Sequence, residues 1–487
     1  KLHSLISTRN IYILSAIIFV VAAYFSQGFN QFDEHTQVME FGGYKLGMTE
    51  EKNLSWEFAS RMRPAIQPAM VYMAHKVMGV FGVDSPFTIA FLLRLFSAAL
   101  SFLSIHLLIR AFYDNIKGEK LKLTFVALSF LLWFSVFNSV RFSSENMAGR
   151  LFVIAFALFF IWKNPNPKQY FLMGVILGLS FLFRYQNAFL MVGWLAWLLF
   201  INKSKFSHLV LTVAGIVLMF ALGILIDKWF YGEWVLSTWK YFEENILLDK
   251  MSGFGLEPWY YYLVQIFNVG IPPFSLLYIV PFVLLMVYRW KDALVWTILP
   301  FLLIHFYIGH KELRFLFPAI GLLPLVAVTA GEMVHEKWPS FFTNAIVKVL
   351  VLLFWVQNVL FTVIVSLKAA DAQVALYKEL YNKYDTPVVV YYIKDNPYSR
   401  ALDVYYYKRT NLSVREIQTL DEIKLLPDTT VLFATVKNDE GIVLEKNNEK
   451  IFSALPDWIK AFNAFNWVER TRFWKVYEVK NRPVKIQ

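Results

Sequence analysis

Residues 208–229 read HLVLTVAGIVLMFALGILIDKW, and the eighteen from Leu209 to Ile226 carry no charge. A helix rising about 1.5 Å per residue needs about 20 such residues to cross a hydrocarbon core. Comparable runs lie near 11–29, 88–112, 123–140, 147–162, 169–183, 187–201, 263–287, 293–309, 315–334 and 343–367. Across the 487 residues, 57% are hydrophobic and only 17% charged, whereas a soluble domain carries about 25% charged residues. A soluble globule is therefore excluded. The chain contains no Cys and no low-complexity tract, which removes a disulfide scaffold, thiol catalysis and a disordered chain. The net charge of +11 does not point to nucleic acid, because Lys and Arg sit between apolar runs rather than on one face.

Those basic residues set the topology. Arg9, Arg110, Lys117, Lys163, Lys168, Lys203, Lys205, Arg289, Lys291 and Lys337 fall in one alternating set of connections. The positive-inside rule makes that side cytoplasmic. This alternation holds only if residues 65–83, with Gln67, Pro68, His75 and Lys76, lie in the interface rather than span. The expectation is an α-helical polytopic membrane protein of about eleven spans. Its transmembrane domain covers 1–367, with extracytoplasmic loops 30–87 and 230–262. The tail changes character. Runs at 387–393, 401–407 and 430–436 are rich in Val, Tyr and Thr and bounded by Pro, Asp and Asn, so 368–487 reads as a small extracytoplasmic α/β domain.

Polar residues gather on the non-cytoplasmic side. Asp33 and Glu34 stand where the first span ends, followed by Gln37. A carboxylate at a membrane mouth can take a proton from a hydroxyl nucleophile, although acids also favour a first helical turn. Beside them in the same loop are Trp56, Glu57 and Arg63. Glu145 and Arg184 occupy short turns, and Glu257, Trp259 and Tyr261 lie in the second long loop. The sequence His310-Lys311-Glu312-Leu313-Arg314 packs four ionisable side chains into five residues between apolar runs. Charge at that depth is by default a site. Lys311 as a point charge and Arg314 as a fork suit a phosphate. No Walker motif or dinucleotide fingerprint occurs, so a nucleotide-bound donor is unsupported. The constellation suits a lipid-phosphate-linked substrate whose tail stays in the bilayer.

The order of these motifs resembles the polyprenyl-phosphate-mannose-dependent α-mannosyltransferases of the C-type glycosyltransferase superfamily. Within it, the similarity is greatest to the enzymes adding the third mannose of the glycosylphosphatidylinositol anchor. That family has H-P-D-E-x-x-Q, and here Gln31-Phe32-Asp33-Glu34-His35-Thr36-Gln37 stands. Its T-W-E-W is matched by Ser55-Trp56-Glu57-Phe58, and its F-Y-G by Phe230-Tyr231-Gly232. Its S-H-K-E-x-R-F-x-x-P is matched by Gly309 through Pro318. The chain departs at Gln31-Phe32 and at Glu257 and Tyr260, where the family has His.

The resemblance implies an inverting transfer of mannose from a polyprenyl-phosphate donor to a hydroxyl of a glycan or glycolipid acceptor. Asp33 would be the base and Glu34 would position it. Lys311, Arg314 and Arg184 would hold the donor phosphate. Gln37, Trp56, Glu57, Arg63, Glu145, Glu257, Trp259, Tyr261, His310 and Glu312 would bind substrate. The family's pattern requires no metal, and none is expected, nor any other cofactor. The expected partners are the lipid-linked donor, the acceptor and membrane lipids, with no nucleic acid. Short loops and the missing Cys point to a bacterial inner membrane with a periplasmic site; the endoplasmic reticulum is the alternative. The competing readings are another polyprenyl-phosphate sugar on the same fold, and a lipid-linked-sugar flippase. A flippase predicts ionisable residues inside several spans and a repeat symmetry, neither of which the sequence displays.

Overall fold

The computed structural model describes residues 7–399, 402–437, 448–455 and 472–480. They divide into two compact units. The first comprises 1–26, 60–70 and 91–368, and the second 27–59, 71–90 and 369–487.

The first unit is helical. Among the described residues, six helices are long and apolar enough to cross a membrane: Thr8–Phe25, Pro86–Asn115, Ser144–Trp162, Phe206–Tyr231, Leu313–Lys337 and Ala345–Leu367. Four shorter apolar helices, Pro167–Phe183, Tyr185–Phe200, Leu276–Tyr288 and Ala293–Tyr307, fall on further expected runs. Their ends carry the caps that helix starts need. Ser7, Ser143 and Asn344 each accept a backbone N–H, and Asn166 forms a reciprocal box with Gln169 ahead of Pro167.

Two expected spans are interrupted. The run 123–140 forms Glu119–Leu131 and Trp133–Ser139, bent by 46°. The cause is a side chain from another helix, since Asn358 donates to the Leu131 carbonyl at 2.7 Å and accepts from the Trp133 N–H at 3.0 Å. The backbone groups freed by the break are thereby satisfied where no water reaches. The run 263–287 forms Tyr261–Val269 and Leu276–Tyr288. Pro272 and Pro273 lie between them and cannot continue a helix.

Lipid tails give no hydrophobic drive to helix association, so close backbone approach does the work. A Cβ on Gly174 would meet the Thr212 carbonyl oxygen at 2.0 Å, and one on Gly215 the Phe171 carbonyl oxygen at 2.4 Å. These glycines let Pro167–Phe183 and Phe206–Tyr231 touch backbone to backbone. Elsewhere the unit packs on aromatics, with Trp194 wholly buried against Phe152, Phe156 and Phe159.

The second unit holds a five-stranded mixed sheet among its described residues. Its strands are β1 (Val388–Tyr392), β2 (Leu412–Glu416), β3 (Thr430–Thr435), β4 (Glu449–Ser453) and β5 (Lys475–Glu478). They are ordered β2-β1-β3-β5-β4, parallel across β2, β1 and β3 and antiparallel beyond. Val388 through Tyr391 are all buried, as a strand covered on both faces requires. Val389, Tyr391, Val431, Phe433 and Tyr477 form one packed face.

The expected strand at 401–407 is not one. Ala401 lies outside the described residues, and from 402 onward only an isolated bridge, Ser399 to Asp403, forms. The N–H groups of Tyr405 and Tyr406 go instead to the Glu40 carboxylate.

Candidate functional site

The two acids expected after the first span lie in the second unit. Phe32–Glu34 makes one helical turn with both acids in it, and His35–Glu40 continues as a π-helix. Asp33 and Glu34 are half-buried. Glu34 accepts from the Asn30 N–H at 3.3 Å. Behind them the polar side chains are fixed. Gln37 donates to both oxygens of Glu57 at 2.9 Å, and Ser55 donates to Glu57 at 3.1 Å. Gln37 and Glu57, expected as substrate-binding residues, are thus brought together with each other, while Trp56 between Ser55 and Glu57 is exposed.

Glu40 is a residue the sequence reading missed. It is paired with His35 at 2.7 Å and accepts from Thr49 at 2.5 Å. Burial pushes its carboxyl pKa up, but His35, Thr49 and the Tyr406 N–H outweigh that and hold it below the ordinary value. His75 donates to or accepts from the Tyr406 hydroxyl at 2.8 Å. Burial lowers its pKa to about 4, so it stands neutral at physiological pH.

In the first unit a cluster of charge forms around Glu145. This carboxylate is 3% exposed and lies 3.2 Å from Arg184 Nη1 and 4.0 Å from Arg314 Nη1. Glu312 takes a two-pronged contact from Arg314, Nε to Oε2 and Nη2 to Oε1, both 2.8 Å. His310 Nε2 lies 3.4 Å from Glu312. The guanidinium carbons of Arg184 and Arg314 stand 5.3 and 5.5 Å from the centroid of one ring, Phe315. Two cations thus converge on one ring, whose cation–π attraction offsets part of their mutual repulsion and holds positive charge together beside Glu145 and Glu312.

Lys311 has a different setting. Its ammonium donates to the carbonyls of Ile308, Glu257 (2.9 Å) and Gly309 (3.4 Å). The Glu257 N–H in turn donates to the Gly309 carbonyl at 3.0 Å. Lys311 therefore ties the second long loop to the 308–311 turn. The Glu257 and Trp259 side chains are exposed, and Tyr261 is half-buried.

Arg63 sits in a strap pinned at both ends. Asp227 accepts from the Ala65 N–H at 2.8 Å and from the Ser237 hydroxyl. Tyr231 donates to the Arg63 carbonyl at 2.7 Å, and Arg61 pairs with Glu233 at 3.0 Å. The Arg63 guanidinium lies over the Tyr241 ring at 5.6 Å. Asp227 was the second residue missed. Its signal was visible, as an acid placed within an otherwise apolar run.

A second buried network surrounds the start of Ser144–Trp162. Arg141 donates to the Ser26 carbonyl and, at 2.5 Å, to its hydroxyl, anchoring the end of Thr8–Phe25. Arg150 bonds Asn146 at 3.1 Å and Ser139 at 3.0 Å.

A bundle of apolar helices whose charged residues cluster at helix ends, together with a small α/β unit, is the architecture of a multispanning membrane protein. The chain belongs to the Alg9-like mannosyltransferase family, whose model matches residues 10–400. It is 26% identical over 290 residues to the GPI alpha-1,2-mannosyltransferase 3 of Bos taurus, a match covering 58% of this chain and 51% of that one. It is 27% identical over 342 residues to Mannosyltransferase APTG1 of Arabidopsis thaliana, covering 67% and 58%. The chain thus spans about half the length of the curated relatives it matches. Its fold is similar to the crystal structure of ArnT from Cupriavidus metallidurans bound to undecaprenyl phosphate, with a TM-score of 0.53, 12% identity and 98% of each chain covered.

Proposed function

We propose that this protein transfers mannose from a polyprenyl-phosphate-mannose donor to a hydroxyl of a glycan or glycolipid, giving an α-mannoside at the extracytoplasmic face. The observation that carries the reading is the Arg184 and Arg314 pair over Phe315, in a chain of a mannosyltransferase family. The two-pronged grip of Arg314 on Glu312 is the geometry a phosphate's two oxygens would take. The similar ArnT structure holds undecaprenyl phosphate, which supports a carrier of that kind.

Asp33 takes the proton of the acceptor hydroxyl as its oxygen attacks the anomeric carbon. The bond from that carbon to the phosphate oxygen breaks, and polyprenyl phosphate leaves with the electron pair. Inversion follows from attack opposite the leaving group. Phosphate leaves readily, so one base suffices. Arg184 and Arg314 stabilise the charge that grows on it, while Lys311 holds the loop of Glu257, Trp259 and Tyr261 beside them. Glu34 steadies the base, and Gln37, Trp56, Glu57 and Arg63 bind the acceptor. No metal is assigned a part in this step. Of the two compartments, the endoplasmic reticulum fits the eukaryotic relatives, and a bacterial inner membrane finds no support among them.

The test is donor consumption by the purified protein in nanodiscs, offered polyprenyl-phosphate mannose, other polyprenyl-phosphate sugars and GDP-mannose. Turnover of the first is expected, undiminished by a chelator, and lowered at least about 100-fold by Asp33→Asn. Consumption of GDP-mannose would overturn the reading, and near-normal turnover by Asp33→Asn would remove Asp33 as the base.

A further inference from the structure

Glu40 has no part in the reaction proposed above, yet both of its carboxylate oxygens are held by hydrogen bonds. It is 3% exposed. One oxygen takes the His35 Nε2 contact at 2.7 Å and the N–H groups of Tyr405 and Tyr406 at 2.8 and 3.0 Å; the other takes the Thr49 hydroxyl at 2.5 Å. Burying an ionised carboxylate is costly unless such bonds replace water, so the unit has spent four donors on one side chain.

What this arrangement fixes is His35. Its ring is 1% exposed and lies between Phe29 (centroids 5.0 Å apart, 28°) and Tyr407 (5.4 Å, 18°). Glu40 sets the ring's rotation about that stack, as a carboxylate sets a catalytic imidazole. The π-helix makes the pairing possible, because i to i+5 closure brings residue 40 under residue 35. Such turns recur at functional sites. Two residues before His35 is Asp33.

Phe32–Glu34 is the first turn of a continuous helical stretch that runs through His35–Glu40 to Lys45, so its geometry follows the residues behind it. Its backbone continues directly into the clamped residue: Glu34 N–H bonds the Gln31 carbonyl at 3.0 Å, and His35 N–H bonds the Phe32 carbonyl. The Thr36 hydroxyl also bonds the Phe32 carbonyl, at 3.3 Å.

We propose that Glu40 is a positioning residue that, by orienting His35, holds the Asp33–Glu34 turn in the geometry its reaction requires. This rests on the reading of Asp33 as the base. A misplaced base costs turnover without weakening the donor's hold. The experiment is a double-mutant cycle in nanodiscs, combining Glu40→Gln with Asp33→Asn and reading kcat, donor KM and the thermal midpoint. Glu40→Gln alone should lower kcat about 10-fold or more, with donor KM and midpoint kept. In the Asp33→Asn background it should cost less than about 2-fold, because the group it positions is gone. An equal loss in both backgrounds, or a normal kcat for Glu40→Gln, overturns the proposal while leaving Asp33 in place. Near-normal turnover by Asp33→Asn instead removes the base itself. Should Glu40→Gln fail to fold, His35→Gln takes its place in the same cycle, with the same expected and overturning results.

Discussion

At the scale of single residues, the two arginines and the lysine of the candidate site do different work. Arg314 uses its planar fork on Glu312 and stands 5.5 Å from the centroid of the Phe315 ring, and a lysine does not reproduce the fork. Arg314→Lys keeps the charge, so simple charge neutralisation predicts little change. If the fork grips the donor phosphate, donor KM should rise and kcat fall, together about 10- to 100-fold in kcat/KM, the scale of one charge-assisted hydrogen bond. Steady-state kinetics over a donor series checks this, and an unchanged kcat/KM would assign Arg314 to local structure. The sequence displayed His310-Lys-Glu-Leu-Arg314 as a charged island between apolar runs, and that much was legible. It did not show that Lys311 turns to three backbone carbonyls, because a sequence gives the donor but not which oxygen lies within reach. Glu40 was hidden for a related reason. A reading by 3.6-residue periodicity puts residues 35 and 40 on different faces, and only the π-helix unites them.

At the scale of elements, the membrane runs were legible because crossing a bilayer demands about 20 apolar residues, a constraint written in composition. The interruptions divide by cause. Pro272-Pro273 announces the break after Val269, whereas Leu132 is an ordinary residue and its break depends on Asn358, more than two hundred positions away. The bent pair gives a direct prediction. Asn358→Leu keeps the volume but strands the Trp133 N–H and leaves the Leu131 carbonyl to Thr362 alone. It should cost about 1–3 kcal/mol, the range for one unsatisfied buried group. Thr362→Val should cost less, since Thr362 reaches only the Leu131 carbonyl, at 3.2 Å, which Asn358 also serves. Thermal or denaturant unfolding in detergent ranks the two. Equal costs would mean that the break is held by packing rather than by hydrogen bonds. The strand expected at 401–407 failed on the same ground as the broken helix. Its Tyr-rich composition fits a strand, but a distant carboxylate takes its N–H groups.

At the scale of the whole molecule, the function depends on which helix ends share a membrane face. Glu145 lies at the start of Ser144–Trp162, Arg184 just after Pro167–Phe183, and His310 through Arg314 just after Ala293–Tyr307. Spans that alternate in direction put these ends on one face and the basic connections at 163–168, 203–205 and 289–291 on the other. That alternation requires the interrupted pairs Glu119–Ser139 and Tyr261–Tyr288 each to count as one crossing. Were Tyr261–Tyr288 a re-entrant loop, every later connection would change sides and Arg314 would be separated from Arg184 by the bilayer; were Glu119–Ser139 one, both arginines would change sides together. The chain has no Cys, so single cysteines report sidedness without a background. Lys205→Cys and Ser252→Cys flank the long apolar helix Phe206–Tyr231, and Lys291→Cys lies beyond the Pro-interrupted pair. In sealed vesicles of known orientation, a membrane-impermeant maleimide should label Ser252→Cys from the extracytoplasmic side only. It should reach Lys205→Cys and Lys291→Cys from the opposite side only, as the positive-inside rule demands of basic connections. Labelling of Lys291→Cys together with Ser252→Cys would make Tyr261–Tyr288 a re-entrant pair. That result would place Arg314 across the membrane from Arg184 and end the case for a shared phosphate site, whatever the kinetics of either arginine.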